Sequence, residues 1–187
     1  MSRIPRKSYD SSYFHVVVQG FEKQYIFKKD FYKRQYLSML LTGLEKYKIE
    51  LLSYCIMDNH AHILLFCDTI SEMSNYMREV NTQFAILYNK LHNRVGYVFR
   101  DRFLSEPIRN EAYLYKCISY IHMNPVDANM VLEPGQYKYS SYNDFINNCG
   151  IVNESMLKKI FGSAKDYIDT FQCIHSTVRK WNRFCGR

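Results

Sequence analysis

Residues 12–21, SYFHVVVQGF, run through aromatic and β-branched positions to a glycine, which predicts a first strand. From Asp30, read as an N-cap, FYKRQYLSMLLTGLEKY sets Tyr32, Tyr36, Leu40 and Leu44 beside Leu37 and Leu41. That i, i+4 stripe predicts an amphipathic helix. IELLSYCIM and HAHILLF read as two strands joined at MDN, where Asp58 and Asn59 supply turn chemistry. A second long helix is expected over SEMSNYMREVNTQFAILYNKLH, capped by Ser71 or Asp68, and GYVFRDRFLSEPI has room for another strand pair. NEAYLYKCISYIHM predicts a third helix with Asn110 as its cap. NPV is expected to close it, because Pro125 disfavours helical geometry at Asn124.

Beyond Tyr142 the pattern weakens to short helices over NDFINNCGIVNESMLKKIFG and AKDYIDTFQ, then a basic tail, RKWNRFCGR. Hairpins with helices between them imply an α+β fold. The expected architecture is an antiparallel sheet with helices packed on one face, in the ferredoxin-like split βαβ arrangement, plus a C-terminal extension. The simplest division is one domain over residues 1–146, then a helical extension and tail over 147–187.

Composition adds a direction. The chain has 187 residues, a formal net charge of +7, 17 tyrosines and 12 phenylalanines. Cations meet phosphates while rings stack on unpaired bases, so a nucleic-acid partner fits as well as a basic protein with an aromatic core. Arg100, Arg102 and Arg109, interleaved with Tyr97, Phe99 and Phe103, are the best local DNA-binding candidates. Arg3, Arg6 and Lys7 suggest a basic arm. The six cysteines show no zinc-knuckle spacing and read as reduced thiols in a cytoplasmic protein. No apolar run has the roughly 20 residues needed to cross a bilayer.

Two pairs of residues carry the candidate chemistry. His60 and His62 lie at i, i+2 on a strand and therefore present two imidazoles to one face. Neutral imidazole is a common metal ligand, but a bare H-x-H is a weak signal and by itself reads more readily as two polar residues on the exposed face of an edge strand. Tyr120 and Asn124 lie at i, i+4 on the third helix and share a face. His122 points away from Tyr120 and is assigned a surface or packing role. His15, on the first strand, is left outside the catalytic set.

Taken together, FHVVVQG, YCIMDNHAHILL, FRDRF with PIRN, YIHMNPVDANMV and YKYSSY resemble the REP-associated tyrosine transposases, over about residues 13–142. These are single-tyrosine HUH endonucleases acting on single-stranded DNA. The resemblance implies that Tyr120 is the nucleophile and that His60, His62 and Asn124 hold a divalent ion, Mg²⁺ or Mn²⁺. It implies nicking and rejoining of hairpin-forming DNA through a 5′-phosphotyrosine, in a monomer or a homodimer. A regulator of the same fold that binds DNA without turnover, and a metal-dependent hydrolase using water, are the alternatives. Asp58 stands where a proline is frequent in that family, and Asp127 where a basic residue is usual.

Overall fold

The computed structural model describes residues 11–147, 152, 158, 160 and 162–178. The expected basic arm (Arg3, Arg6, Lys7), the tail over 179–187 and most of the stretch between 148 and 161 lie outside them. Four strands, β1 (Tyr13–Gln19), β2 (Glu50–Ile56), β3 (His60–Phe66) and β4 (Leu104–Pro107), form one sheet in the order β2-β3-β1-β4. Every neighbouring pair is antiparallel. β3 thus separates β1 from β2, which run parallel to each other, and this is the split βαβ arrangement expected. The helices are α1 (Asp30–Gly43), α2 (Ile70–Leu91), α3 (Glu111–Asp127), α4 (Tyr142–Asn147) and α5 (Ala164–Val178).

The expectation of helices on one face is corrected. α1 and α2 pack side by side, whereas α3 packs on β2 and β3 and carries α5 against it. Strand alternation separates the two faces. Val16, Val18, Ala61, Ile63 and Leu65 point one way and are fully or almost fully buried. His15, Val17, His60, His62 and Leu64 point the other way, toward α3. A sheet covered on both faces reads as near-continuous apolar strands, as β3 does after its histidines.

Several element ends differ from expectation for local reasons. Asp30 is the first residue of α1 and not its cap, which is Lys29 without a side-chain bond. In the first turn its carboxylate still meets the positive end of the helix. α2 is capped by Thr69, not Ser71 or Asp68. Thr69 accepts from the Glu72 N–H and Glu72 bonds back to the Thr69 N–H, a capping box worth about 1 kcal/mol. The expected strand pair after Gly96 reduces to β4 and one isolated bridge, Gly20 to Phe99.

α3 does not stop at NPV. It runs through Pro125 to Asp127, and the Ala128 N–H still bonds the Asn124 carbonyl at 3.0 Å. Proline removes an N–H and crowds the carbonyl four residues back. In the last turn of a helix this local cost is outweighed by packing: Ile121, Met123 and Pro125 are all buried. The consequence for function is direct, since Asn124 stays helical and remains on the face of Tyr120.

The interior of the α3 layer is held by a polar knot. His122 is fully buried and meets Ser141 Oγ at 2.8 Å and Ser53 Oγ at 3.1 Å through Nε2, and the Tyr167 hydroxyl through Nδ1. Ser141 Oγ also accepts from the Tyr54 N–H at 2.9 Å. The rings of Tyr142, Phe145 and Tyr167 surround the imidazole edge-on. One side chain of α3 is thereby tied to β2, to the residue preceding α4, and to α5. A buried imidazole is tolerated because its nitrogens are satisfied.

Candidate active site

The tight turn between β2 and β3 delivers the paired histidines. Met57 N–H bonds the His60 carbonyl at 2.8 Å, and Asp58 ion-pairs with the almost fully buried Lys33 of α1 at 2.6 Å. Asp58 therefore does a local structural task, anchoring the turn just before His60. Breaking such a pair leaves an uncompensated buried cation, at about 3–5 kcal/mol.

His60 and His62 share the α3-facing side of β3, with ring centroids 4.9 Å apart and planes at 87°. His60 is half-buried and His62 is buried. The His62 ring packs edge-on against Tyr120 at 5.3 Å. Asn124 donates from Nδ2 to the Tyr120 carbonyl at 2.8 Å, and its amide also hydrogen-bonds the His62 ring. Tyr120, Asn124, His60 and His62 thus come together in one place within one chain.

His15, outside the catalytic set on sequence alone, is brought in by the sheet. His15 Nε2 lies 3.0 Å from His62 Nδ1, the two rings stack at 5.1 Å, and His15 is 6.0 Å from the Tyr120 ring. Burial pushes the His15 imidazolium down to about 4 from 6.5. Burial also holds His60 below its usual value. His62 falls well below, first through burial and then through repulsion from His15 and His60, partly offset by the Asn124 amide. All three imidazoles are therefore neutral at pH 7, the form a histidine needs to ligate a cation.

Can these residues hold a divalent ion? His60 Nδ1 faces Asn59 Oδ1 at 2.6 Å and must donate to it, which leaves Nε2 as the lone-pair nitrogen. His62 has its Nδ1 turned to His15, so Nε2 is the nitrogen that meets the Asn124 amide, and an ion bound there would replace that hydrogen bond. The amide hydrogen bond from Nδ2 leaves Asn124 Oδ1 as an acceptor. Two imidazole nitrogens and an amide oxygen form a coherent neutral donor set, so the residues fit. Among the described residues no three His, Cys, Asp or Glu side chains are grouped to hold a metal. His15 is not a third ligand, because its Nε2 is turned to His62.

One flank of this centre is open. By register His15 faces Glu106 and Val17 faces Leu104, yet Leu104 is 70% exposed and Glu106 is exposed. α3 covers β2, β3 and His15 of β1 and leaves the β4 edge of the face to solvent. At the end of β1, Gln19 lies opposite His60, and Arg100 reaches it: Arg100 N–H bonds the Gln19 carbonyl at 2.9 Å and Nη1 meets Oε1 at 3.4 Å. Gly20 follows because a Cβ there would collide with the Gln24 carbonyl. Gln19, like His15, carries no local signal in the sequence and enters the site through strand register.

The other DNA-binding candidates divide. Arg100, Arg102 and Tyr97 line an open groove of about 880 Å³ between α2 and residues 96–103, which Arg78 also borders. Tyr97 is 78% exposed on a loop pinned by Asn89 to the Gly96 carbonyl and by Arg94 to the Tyr97 carbonyl. Phe99 turns inward, in ring contact with Phe27, Tyr36 and Phe84, and Phe103 is buried. Arg109 lies beside Tyr13, at the opposite end of β1 from Gln19 and about 20 Å away along the strand.

This is a ferredoxin-like α+β domain with a paired-histidine, amide and phenol centre at the open flank of its sheet. The IS200-like transposase family model matches residues 8–124, which span every group of the centre, and the chain belongs to that family. No curated protein matches the sequence. Among solved structures, a REP-associated tyrosine transposase bound to a REP hairpin shares the fold. Its TM-score is 0.65 at 16% identity, over 82% of this chain and 90% of that one. A putative transposase from Deinococcus radiodurans R1 scores 0.45 at 9% identity, over 60% and 91%. Among the described residues no helix is long and apolar enough to cross a membrane.

Proposed function

We propose that the protein is a divalent-metal-dependent transposase that nicks and rejoins hairpin-forming single-stranded DNA through a 5′-phosphotyrosine on Tyr120. The observation that carries this reading is the contact of one helical face, Tyr120 and Asn124, with the His60–His62 pair.

In this scheme His60 Nε2, His62 Nε2 and Asn124 Oδ1 hold the ion. When bound, it withdraws charge from the scissile phosphate, and neutral ligands leave its full charge for that task. Mg²⁺ is abundant but prefers oxygen donors, whereas Mn²⁺ accepts imidazole more readily. The Tyr120 hydroxyl attacks phosphorus. The Oη–P bond forms as the P–O3′ bond breaks, the phenolic proton is lost to solvent, and the 3′ oxygen takes up a proton. A phosphodiester's energy is kept in the phosphotyrosine, so a 3′-hydroxyl can reverse the step without ATP. Arg100, held beside Gln19, would meet a backbone phosphate near the cut, and Tyr97 an unpaired base.

Three measurements test the proposal. Protein, Mn²⁺ or Mg²⁺ and labelled hairpin oligonucleotides should give a protein–DNA adduct that survives denaturation and disappears with chelator. Absence of any adduct across such substrates argues for the non-cutting regulator. His60→Ala should abolish the adduct and weaken Mn²⁺ binding by at least about tenfold, while salt-dependent DNA binding persists. Arg100→Ala should weaken binding to all oligonucleotides alike and reduce the slope of log K against log salt by about 0.7. An unchanged slope would remove Arg100 from the phosphate path.

A further inference from the structure

A neutral imidazole carries one N–H and one lone pair, so it can ligate through Nε2 only if its proton stays on Nδ1. Free histidine side chains favour the opposite form, with the proton on Nε2. A ligand histidine therefore depends on what its other nitrogen meets. For His60 the answer is Asn59 Oδ1, a pure acceptor at 2.6 Å. For His62 it is the buried His15, whose Nε2 lies 3.0 Å from Nδ1.

We propose that His15 is a positioning residue for the metal centre: it accepts the Nδ1 proton of His62, fixes that tautomer and ring plane, and so presents Nε2 to the ion. This rests on the reading that His60, His62 and Asn124 hold a divalent cation. Only one proton fits between two nitrogens 3.0 Å apart. When His62 carries it, His15 keeps its own proton on Nδ1, on the side away from His62. The stacked contact at 5.1 Å, with planes 20° apart, also limits rotation of the His62 ring. Tyr120 packs edge-on against both rings, so the same contact sets the floor on which the phenol rests. Both ligand imidazoles are thus held from behind at Nδ1, one by an amide and one by an imidazole.

The test uses the full-length chain with His15→Phe, which keeps a ring of similar size but no acceptor, and His15→Gln, which restores an acceptor. Mn²⁺ affinity is measured by electron paramagnetic resonance titration, and the His62 tautomer by ¹⁵N NMR of the Mg²⁺-loaded protein. His15→Phe is expected to lose about 10–100-fold in Mn²⁺ affinity and to shift His62 toward the Nε2–H form. His15→Gln should recover most of both. Wild-type Mn²⁺ affinity in His15→Phe, with the His62 tautomer unchanged, overturns the proposal. If His15→Phe fails to fold, the wild-type Mg²⁺-loaded spectrum decides, because a His62 found there as Nε2–H contradicts the assignment. A wild-type protein that binds no Mn²⁺ with or without DNA overturns the metal reading, whereas wild-type binding that is unchanged in His15→Phe overturns only the role of His15.

Discussion

Tyr120→Phe is expected to eliminate the denaturant-stable adduct and to lower strand cleavage by at least about a thousandfold, as loss of a covalent nucleophile does. Hairpin binding should stay within about twofold, since no charge is removed. The substitution keeps the ring that packs against His62 at 5.3 Å and His15 at 6.0 Å, so the helix should keep its seat. Mn²⁺ affinity should also hold, because His60, His62 and Asn124 are untouched. This combination separates the phenol's chemistry from its packing. Cleavage that survives the substitution would favour a water nucleophile instead. Hydrolases of that kind usually bring carboxylates to their ions. Here Asp58 is committed to Lys33, and Glu106 stands on the exposed flank across from His15.

The parts of this centre legible in the sequence are those whose geometry is local. A period of two puts His60 and His62 on one face, and a period of 3.6 puts Tyr120 above Asn124. His122 could be turned away from Tyr120 by the same arithmetic. Contacts that depend on register were not legible. His15 faces Leu64 across the sheet and meets His62 only as its diagonal neighbour, so its role appears once β1 is aligned with β3. Gln19 and Arg100 meet because the chain keeps pairing beyond Gly20 without forming a regular strand. The partners of His122 are separated from it by 19 to 69 residues, beyond the reach of any local pattern. Pro125 was a genuine conflict of levels. The local preference for a stop was overridden by burial of the last turn, which is also the turn that carries Asn124.

Mild acid is expected to destabilise the whole domain, with His122 as one of the main causes. Burial lowers the His122 imidazolium to about 3 and that of His15 to about 4, each from 6.5. Both folded values lie below the unfolded one, so below pH 6.5 the unfolded chain binds more protons. The stability these neutral rings contribute is complete above 6.5 and is lost progressively as pH falls toward the folded values. The cost of each imidazole rises toward about 1.4 kcal/mol per pH unit in that window, so the pair removes about 3 kcal/mol between pH 6.5 and 5. That is a large share of the roughly 5–15 kcal/mol typical of a domain. Urea unfolding at pH 7 and pH 5 measures it directly. His122→Gln should be less stable at pH 7, because it disturbs the bonds to Ser53, Ser141 and Tyr167, yet lose about 2 kcal/mol less on acidification. An acid slope identical to wild type would show that His122 is not buried neutral. Because His122 lies between Tyr120 and Asn124 on α3, protonating it attacks the anchor that holds both over the histidine pair.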